Sequence, residues 1–200
     1  MAEVFVKLDI IFYTIVLMAK MKFTEKLFKR RRIYSGGAVK FSADEIVLPD
    51  GKIATREYLE HPGAVAVLPF VDKDRIVLVS QYRYPVRKLT LEIPAGKLDK
   101  GETPAACARR ELEEETGFKP RTLKKLVSYW PTPAFSNEVL HVYAAFGLAE
   151  AHSSPDEDEF IEHQVMPFRE ALKLAVNGKI MDSKTIIALL YWEALKYNRE

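Results

Sequence analysis

Two apolar runs lie near the middle of the chain, Ala64 to Val71 (AVAVLPFV) and Arg75 to Tyr82 (RIVLVSQY), joined by the polar Asp72 to Asp74. Runs of this length and composition read as buried strands, and so short a join predicts a hairpin in the core. Upstream, from Ile33, shorter apolar-polar alternations are punctuated by Gly36, Gly37 and the Asp50-Gly51 turn. They predict strands near Ala38 to Ala43, Glu45 to Leu48 and Ile53 to Leu59. Downstream, Leu91 to Ile93 predicts a short strand delivering Pro94 and Ala95 into the next loop. Leu123 to Trp130 and Val139 to Phe146 bracket the loop PTPAFSNE, and Phe160 to Met166 predicts a last strand. The period turns helical over Pro104 to Thr116, over Arg169 to Val176, stopped by Gly178, and over Lys184 to Lys196, capped by Asp182 or Ser183. Strands and helices alternate irregularly with no internal repeat, which predicts the α+β class.

The first of these helices carries the densest local chemistry. Thr103 suits the N-cap, Pro104 the first helical position and Gly117 a left-handed C-terminal cap. Ala105, Ala108 and Leu112 fall at helical spacing with small or apolar side chains, so this face is expected to lie close against a sheet. Glu111, Glu114 and Glu115 stand at i, i+3 and i+4. Like charges at that spacing destabilise a helix by a few tenths of a kcal/mol per pair, so the cluster makes sense with a cation among them. Carboxylate oxygens suit a hard divalent ion, and Mg²⁺ takes one or two of them while filling its octahedron with water and phosphate oxygens. That points to phosphate chemistry, against the plainer reading of an acidic run as the solvated face of a surface helix.

Composition narrows the class. At 200 residues the chain suffices for one domain with a substantial core and a small appended subdomain. A net charge of +2 is too small to imply a nucleic-acid partner, and the basic run Lys26 to Arg32 reads as a solvated or phosphate-steering surface. The single cysteine, Cys107, excludes an intramolecular disulfide, fits a reducing, cytoplasmic location and reads as packed rather than reactive. The four histidines show no zinc-type spacing. At the N-terminus the uninterrupted apolar run Ile10 to Ala19 is too short to span a bilayer and has no signal-peptide pattern, so no membrane is expected. The favoured reading of residues 1–20 is an extension ahead of a start at Met18 or Met21. The rival is a real strand or interfacial helix.

The segment GKLDKGETPAACARRELEEETGF, Gly96 to Phe118, resembles the Nudix box: Gly, five residues, Glu, seven residues, then Arg-Glu-aliphatic-x-Glu-Glu-x-Gly-aliphatic. Gly96, Glu102, Arg110, Glu111, Leu112, Glu114, Glu115 and Gly117 fill the pattern, with an aromatic Phe118 at its end. Chance agreement at nine positions has a probability of roughly 10⁻¹⁰ to 10⁻⁹ per start. The resemblance implies the Nudix fold, an α/β/α sandwich around a mixed sheet, with extra N-terminal β-strands. It divides the chain into residues 1–20 as extension, 21–60 as a strand subdomain and 61–200 as the hydrolase domain. TREYLEHPGAVAVLP at Thr55 to Pro69, QYRYPVRKLTLEIPAGKLDKGE at Gln81 to Glu102 and YWPTPAFSNEVLHVYAA at Tyr129 to Ala145 look like the ADP-ribose pyrophosphatase branch. Pro133 also stands where that branch has a proline, about fifteen residues past the box.

By this resemblance, Glu111 and Glu115 are the main metal ligands, Glu114 an additional or water-mediated one, and the Ala95 carbonyl a backbone ligand. The ion is Mg²⁺, with Mn²⁺ as its substitute. Arg110 orients the glutamates, since it can pair with Glu114 and with Glu102. The catalytic base lies in the loop Ser153 to Glu162, Glu159 first and Glu157 second. Arg56 and Arg83 are expected to contact the substrate, with an ordinary ion pair as the alternative for each. Phe135, Tyr34 and Tyr82 are stacking candidates that otherwise belong to the core, and Glu138 faces the terminal ribose. The expected activity is hydrolysis of ADP-ribose, a small-molecule nucleotide sugar, to AMP and ribose 5-phosphate by a homodimer, in which Arg56 serves the other subunit. The alternatives are another nucleoside diphosphate sugar or dinucleotide, a ligand-sensing module without turnover, or an enzyme tethered to a membrane by Ile10 to Ala19.

Overall fold

The computed structural model describes residues 22–37, 39–154 and 160–197, so expectations that fall on residues 1–21 lie outside the described residues. The chain divides into two compact units, the first running to His61 and including Ala134–Ser136, the second taking Pro62–Pro133 and the chain from Asn137 onward.

The first unit is one antiparallel sheet of β1 (Lys26–Lys29), β2 (Arg32–Ser35), β3 (Lys40–Val47) and β4 (Ile53–Glu60). β4 pairs with β3 along its whole length, from Lys40↔Glu60 to Val47↔Ile53, while β1 and β2 pair with its two ends in turn. One expectation changes here, while the basic run lies exposed as a surface should and carries β1 and the start of β2. The strands expected at Ala38 to Ala43 and Glu45 to Leu48 are a single strand. Asp44, which looked like a break, is only 4 % exposed. It accepts the Arg31 N–H at 2.9 Å and the Tyr58 hydroxyl at 3.1 Å. A buried carboxylate satisfied in this way can sit inside a ladder without ending it.

The second unit is built from β5 (Ala64–Pro69), β6 (Arg75–Arg83), β7 (Lys88–Glu92), β8 (Ala95–Lys97), α1 (Pro104–Thr116), β9 (Phe118–Tyr129), β10 (Leu140–Glu150), β11 (Ile161–Pro167), α2 (Phe168–Val176) and α3 (Ser183–Tyr197). β8, β5, β10 and β9 form, in that order, a mixed sheet in which β5 and β10 run parallel. β11, β6 and β7 form an antiparallel sheet. The core hairpin expected of Ala64 to Val71 and Arg75 to Tyr82 is therefore not made: the two runs are central strands of different sheets, joined at the turn by the bridge Phe70↔Ile76 and by the Val71 N–H donating to the Arg75 carbonyl at 3.0 Å. Both edges of β5 are taken by β8 and β10, and all six of its residues are buried. A strand apolar on both faces needs cover on both, which a hairpin partner cannot supply.

That cover forms the sandwich. Alternate residues of β5 point to opposite faces. Val65 and Val67 meet Cys107, Ala108 and Leu112 of α1, whereas Ala64, Ala66 and Leu68 join Phe168 and Ala171 of α2 and Leu189 of α3. The buried stripe of α1 is Cys107, Ala108, Leu112, Glu115 and Thr116, while Ala105, expected on it, is exposed in the first turn. Cys107 is drawn inward because its thiol donates to the Lys97 carbonyl at 3.3 Å. Leu112→Ala would open a cavity between α1 and the sheet and cost about 2–5 kcal/mol. The ends of α1 match their local signals: the Thr103 hydroxyl accepts the Ala106 N–H at 3.3 Å, and Gly117 takes φ 70°. On α3 the cap is Asp182, which accepts the Thr185 N–H at 2.9 Å. Among the described residues, no helix is long and apolar enough to cross a membrane.

Candidate active site

The strap from Glu92 to Gly96 joins the two sheets of the second unit, and almost every residue in it is tied down. The Ile93 N–H donates to the Thr185 hydroxyl at 2.8 Å, the Pro94 carbonyl accepts the Val67 N–H at 2.8 Å, and the Ala95 N–H donates to Glu115 Oε2 at 3.1 Å. At Gly96 a Cβ would sit 1.9 Å from Cδ of Glu111. Glycine is required there by space, and the space it leaves is filled by the Glu111 carboxylate.

Arg110 holds this carboxylate and two others. Its Nε and Nη2 donate to the two oxygens of Glu102 at 3.0 and 2.9 Å. Its Nη1 donates to Glu111 at 2.7 Å and to Glu114 at 3.0 Å, and Nη2 also reaches the Lys97 carbonyl at 3.1 Å. A rigid planar fork with five donors suits this task better than an ammonium. Its hydrogen bond to Glu102 is the main reason that the guanidinium is pushed further towards its charged form, and the same bond keeps the Glu102 carboxyl at about 2. Burial, with Glu102 adding to it, pushes the Cys107 thiol up to about 12, so it is inert as a nucleophile.

Glu102, Glu111 and Glu114 thus face a single guanidinium, which leaves the corner strongly anionic. Among the described residues, no three carboxylate, imidazole or thiol groups are already gathered as a metal cage. Glu111 and Glu114 are instead turned onto Arg110. The donor set still fits a hard divalent ion, because such an ion asks for one or two carboxylates beside a carbonyl, and the anionic surplus beside the Gly96 cradle provides them.

A second charged cluster, not anticipated from the sequence, lies beside the first. Glu92 is 2 % exposed and accepts Arg83 Nε at 2.9 Å, Arg83 Nη2 at 2.7 Å and the Thr90 hydroxyl at 2.6 Å, with the Lys184 ammonium also on Oε2. Burial alone would raise this carboxyl, but Arg83 and Lys184 outweigh it and hold the group at about 2. The signal was available: a lone acid inside the apolar LTLEIP of a strand must be paired if it is buried.

The remaining expected residues belong partly to the first unit and partly to the second. Arg83 is engaged with Glu92 as described. In the first unit the Arg56 Nε donates to Glu25 at 3.0 Å, in an ion pair on the surface. Phe135, Tyr34 and Tyr82 are all exposed, so none is a core residue. Glu138 is half-buried and, with burial and Asp182, helps to push the Tyr129 phenol up to about 12. Glu157 and Glu159 lie outside the described residues. The chain leading to them is anchored on the end of α1, where the Ser153 hydroxyl and the Ser154 N–H both donate to the Glu114 carbonyl, at 2.8 and 3.2 Å.

A sandwich carrying a carboxylate-lined corner on its box helix defines a hydrolase of the phosphoanhydride type. Residues 60–186 match the NUDIX domain, so the chain belongs to the Nudix hydrolase family, whose members generally depend on a divalent metal. It is 44 % identical over 180 residues to a methanol dehydrogenase activator of Bacillus methanolicus, covering 88 % of this chain and 97 % of that protein. It is 41 % identical over 169 residues to an ADP-ribose pyrophosphatase of Bacillus subtilis (strain 168), covering 84 % and 91 %. The crystal structure of an ADP compounds hydrolase superimposes with a TM-score of 0.77 at 19 % identity, covering 88 % of this chain and 96 % of that one, which shows a shared fold.

Proposed function

We propose that this chain is a Mg²⁺-dependent diphosphatase that hydrolyses ADP-ribose to AMP and ribose 5-phosphate, working as a cytoplasmic homodimer. The observation that carries the chemistry is the Glu111 carboxylate seated in the gap left by Gly96, with Glu115 accepting the N–H of Ala95, the residue just before it in the strap. The similarity to an ADP-ribose pyrophosphatase supports the substrate. Glu111, Glu115 and the Ala95 carbonyl would hold Mg²⁺, or Mn²⁺ in its place, with Glu114 as a further or water-mediated ligand. When bound, the ion neutralises diphosphate oxygens and acidifies a water.

The protein's own groups do the rest. Arg110 fixes the rotamers of Glu102, Glu111 and Glu114. Arg83 grips the diphosphate and Glu138 faces the terminal ribose, while Arg56 serves the other subunit of the dimer and Phe135 is a stacking candidate. Water oxygen attacks phosphorus, the bridging oxygen leaves with its electron pair, and the water's proton passes to Glu159, with Glu157 as the second choice. Dimerisation is supported by the apolar Leu27, Phe28, Ile33 and Ile53, each more than half exposed on the first unit's sheet. Sedimentation of a monomer at micromolar concentration would remove that part of the proposal.

The deciding experiment is release of AMP from a panel of nucleoside diphosphate sugars and dinucleotides, with ADP-ribose expected to show the highest kcat/KM. Preference for another diphosphate would move the substrate and leave the chemistry in place. The relative at 44 % identity favours a second reading, an activator of an alcohol dehydrogenase. Faster dehydrogenase turnover with wild type and not with Glu111→Gln would join the two readings; no acceleration would remove the second.

A further inference from the structure

Arg83 side chain is 42 % exposed, whereas the Glu92 carboxylate that it grips is 3 % exposed. Two of its three guanidinium nitrogens, Nε and Nη2, are committed to Glu92, and Nη1 is the one that Glu92 does not take. The charge of Arg83 also feels Asp182 at the start of α3 and Glu115 on the box helix. A carboxylate at the end of a flexible glutamate does not by itself fix the plane of its partner, because its terminal torsion is broad. Glu92 is not left to that torsion. The Lys184 ammonium closes on Oε2 from the first turn of α3, and it is itself held by Asp182 Oδ1 at 2.8 Å. The other Asp182 oxygen caps α3 at the Thr185 N–H, so the lysine is built onto a fixed helix end. Two cations and two carboxylates balance, and the Thr90 hydroxyl takes a further lone pair of Glu92 at 2.6 Å.

We propose that Lys184 is a positioning residue for the substrate: by locking the Glu92 carboxylate from α3, it sets the direction in which Arg83 presents its remaining edge to a diphosphate. The inference rests on the reading of the substrate as a nucleoside diphosphate sugar. It makes the last helix part of the binding site without touching the ligand. Lysine suits this inward role, since a compact ammonium donates to two carboxylates at once, while the planar guanidinium is kept for phosphate.

The test is calorimetric titration with ADP-ribose in EDTA, where no turnover occurs and the metal carboxylates contribute nothing favourable. Arg83→Gln is expected to weaken binding about 10- to 100-fold, the usual loss for hydrogen bonds to a charged group. Lys184→Met should lose about tenfold, Lys184→Arg should recover most of it, and the double variant should bind no more weakly than Arg83→Gln alone. Asp182→Asn keeps the helix cap and frees the ammonium, so it carries the same comparison if Lys184→Met does not fold. Wild-type affinity in both Lys184→Met and Asp182→Asn, or a fully additive loss in the double variant, would overturn the inference and leave the substrate reading standing. Failure of wild type itself to bind ADP-ribose would overturn the substrate reading, and this inference with it.

Discussion

Two carboxylate clusters sit in the same unit and differ in their charge balance. Around Arg110, three glutamates share one guanidinium, whose Nη1 donates to both Glu111 and Glu114. Around Glu92, two carboxylates meet two cations in a neutral chain that runs from the exposed edge of Arg83 inward to Asp182. A buried group whose charge is matched holds its neighbours in place, here the orientation of Arg83, because removing either partner strands the other in low dielectric. A partly buried cluster left strongly anionic loses stability to self-repulsion unless a cation arrives, so it belongs to function. The imbalance, rather than the number of acids, separates the two.

The sharpest way to break this contrast is to remove one acid from each cluster. Glu111→Gln or Glu115→Gln should lower kcat by about 10³-fold or more, since ligand carboxylates act where charge develops. Circular dichroism should stay unchanged and Tm should hold or rise as repulsion is relieved. Gly96→Ala should mimic Glu111→Gln, because its Cβ would lie 1.9 Å from the Glu111 carboxyl carbon. Near-normal turnover at saturating Mg²⁺ in these variants would end the metal assignment. Next in size, Glu159→Gln should cut kcat by about 10²- to 10⁴-fold with little change in KM. Glu157→Gln is its control; the larger loss at 157 would move the base by two residues, and no loss at either would take the base out of this loop.

The balanced cluster should fail differently. Glu92→Gln leaves Lys184 and the partly exposed Arg83 facing a neutral amide and should cost about 3 kcal/mol in urea unfolding. Its pH signature follows from the sign of the shift: the folded carboxyl stands at about 2 against an ordinary 4.5. Its contribution is therefore present above the unfolded value and lost as pH falls through the folded one. The stability gap between wild type and Glu92→Gln should accordingly narrow as the solution is acidified across that window. A gap constant with pH would mean that the charge on Glu92 is not what stabilises it. Smallest of all, Thr103→Ala should cost about 1 kcal/mol through the lost cap of α1, with catalytic parameters per folded molecule unchanged.

What could be read from the chain alone is whatever is coded over short distances. The helix Pro104–Thr116 has the bounds its cap, proline and glycine predict, because those residues act through their own backbone neighbours. The spacing from Gly96 to Gly117 identified the family for the same reason: the strap and the helix that face each other are close in sequence as well as in space. Pairing was not legible. AVAVLPFV and RIVLVSQY looked like a hairpin because apolar runs specify burial and leave the partner open, and only the arrival of β10 beside β5 and β11 beside β6 decided that they part into two sheets. Asp44 looked like a break in a strand until Arg31 and Tyr58 were brought to it. Glu92 and Lys184 are separated by 92 positions, with nothing in either neighbourhood naming the other. Their meeting depends on α3 docking its N-terminus against the end of β7, and a buried charge finds its partner only once tertiary packing has excluded water from both.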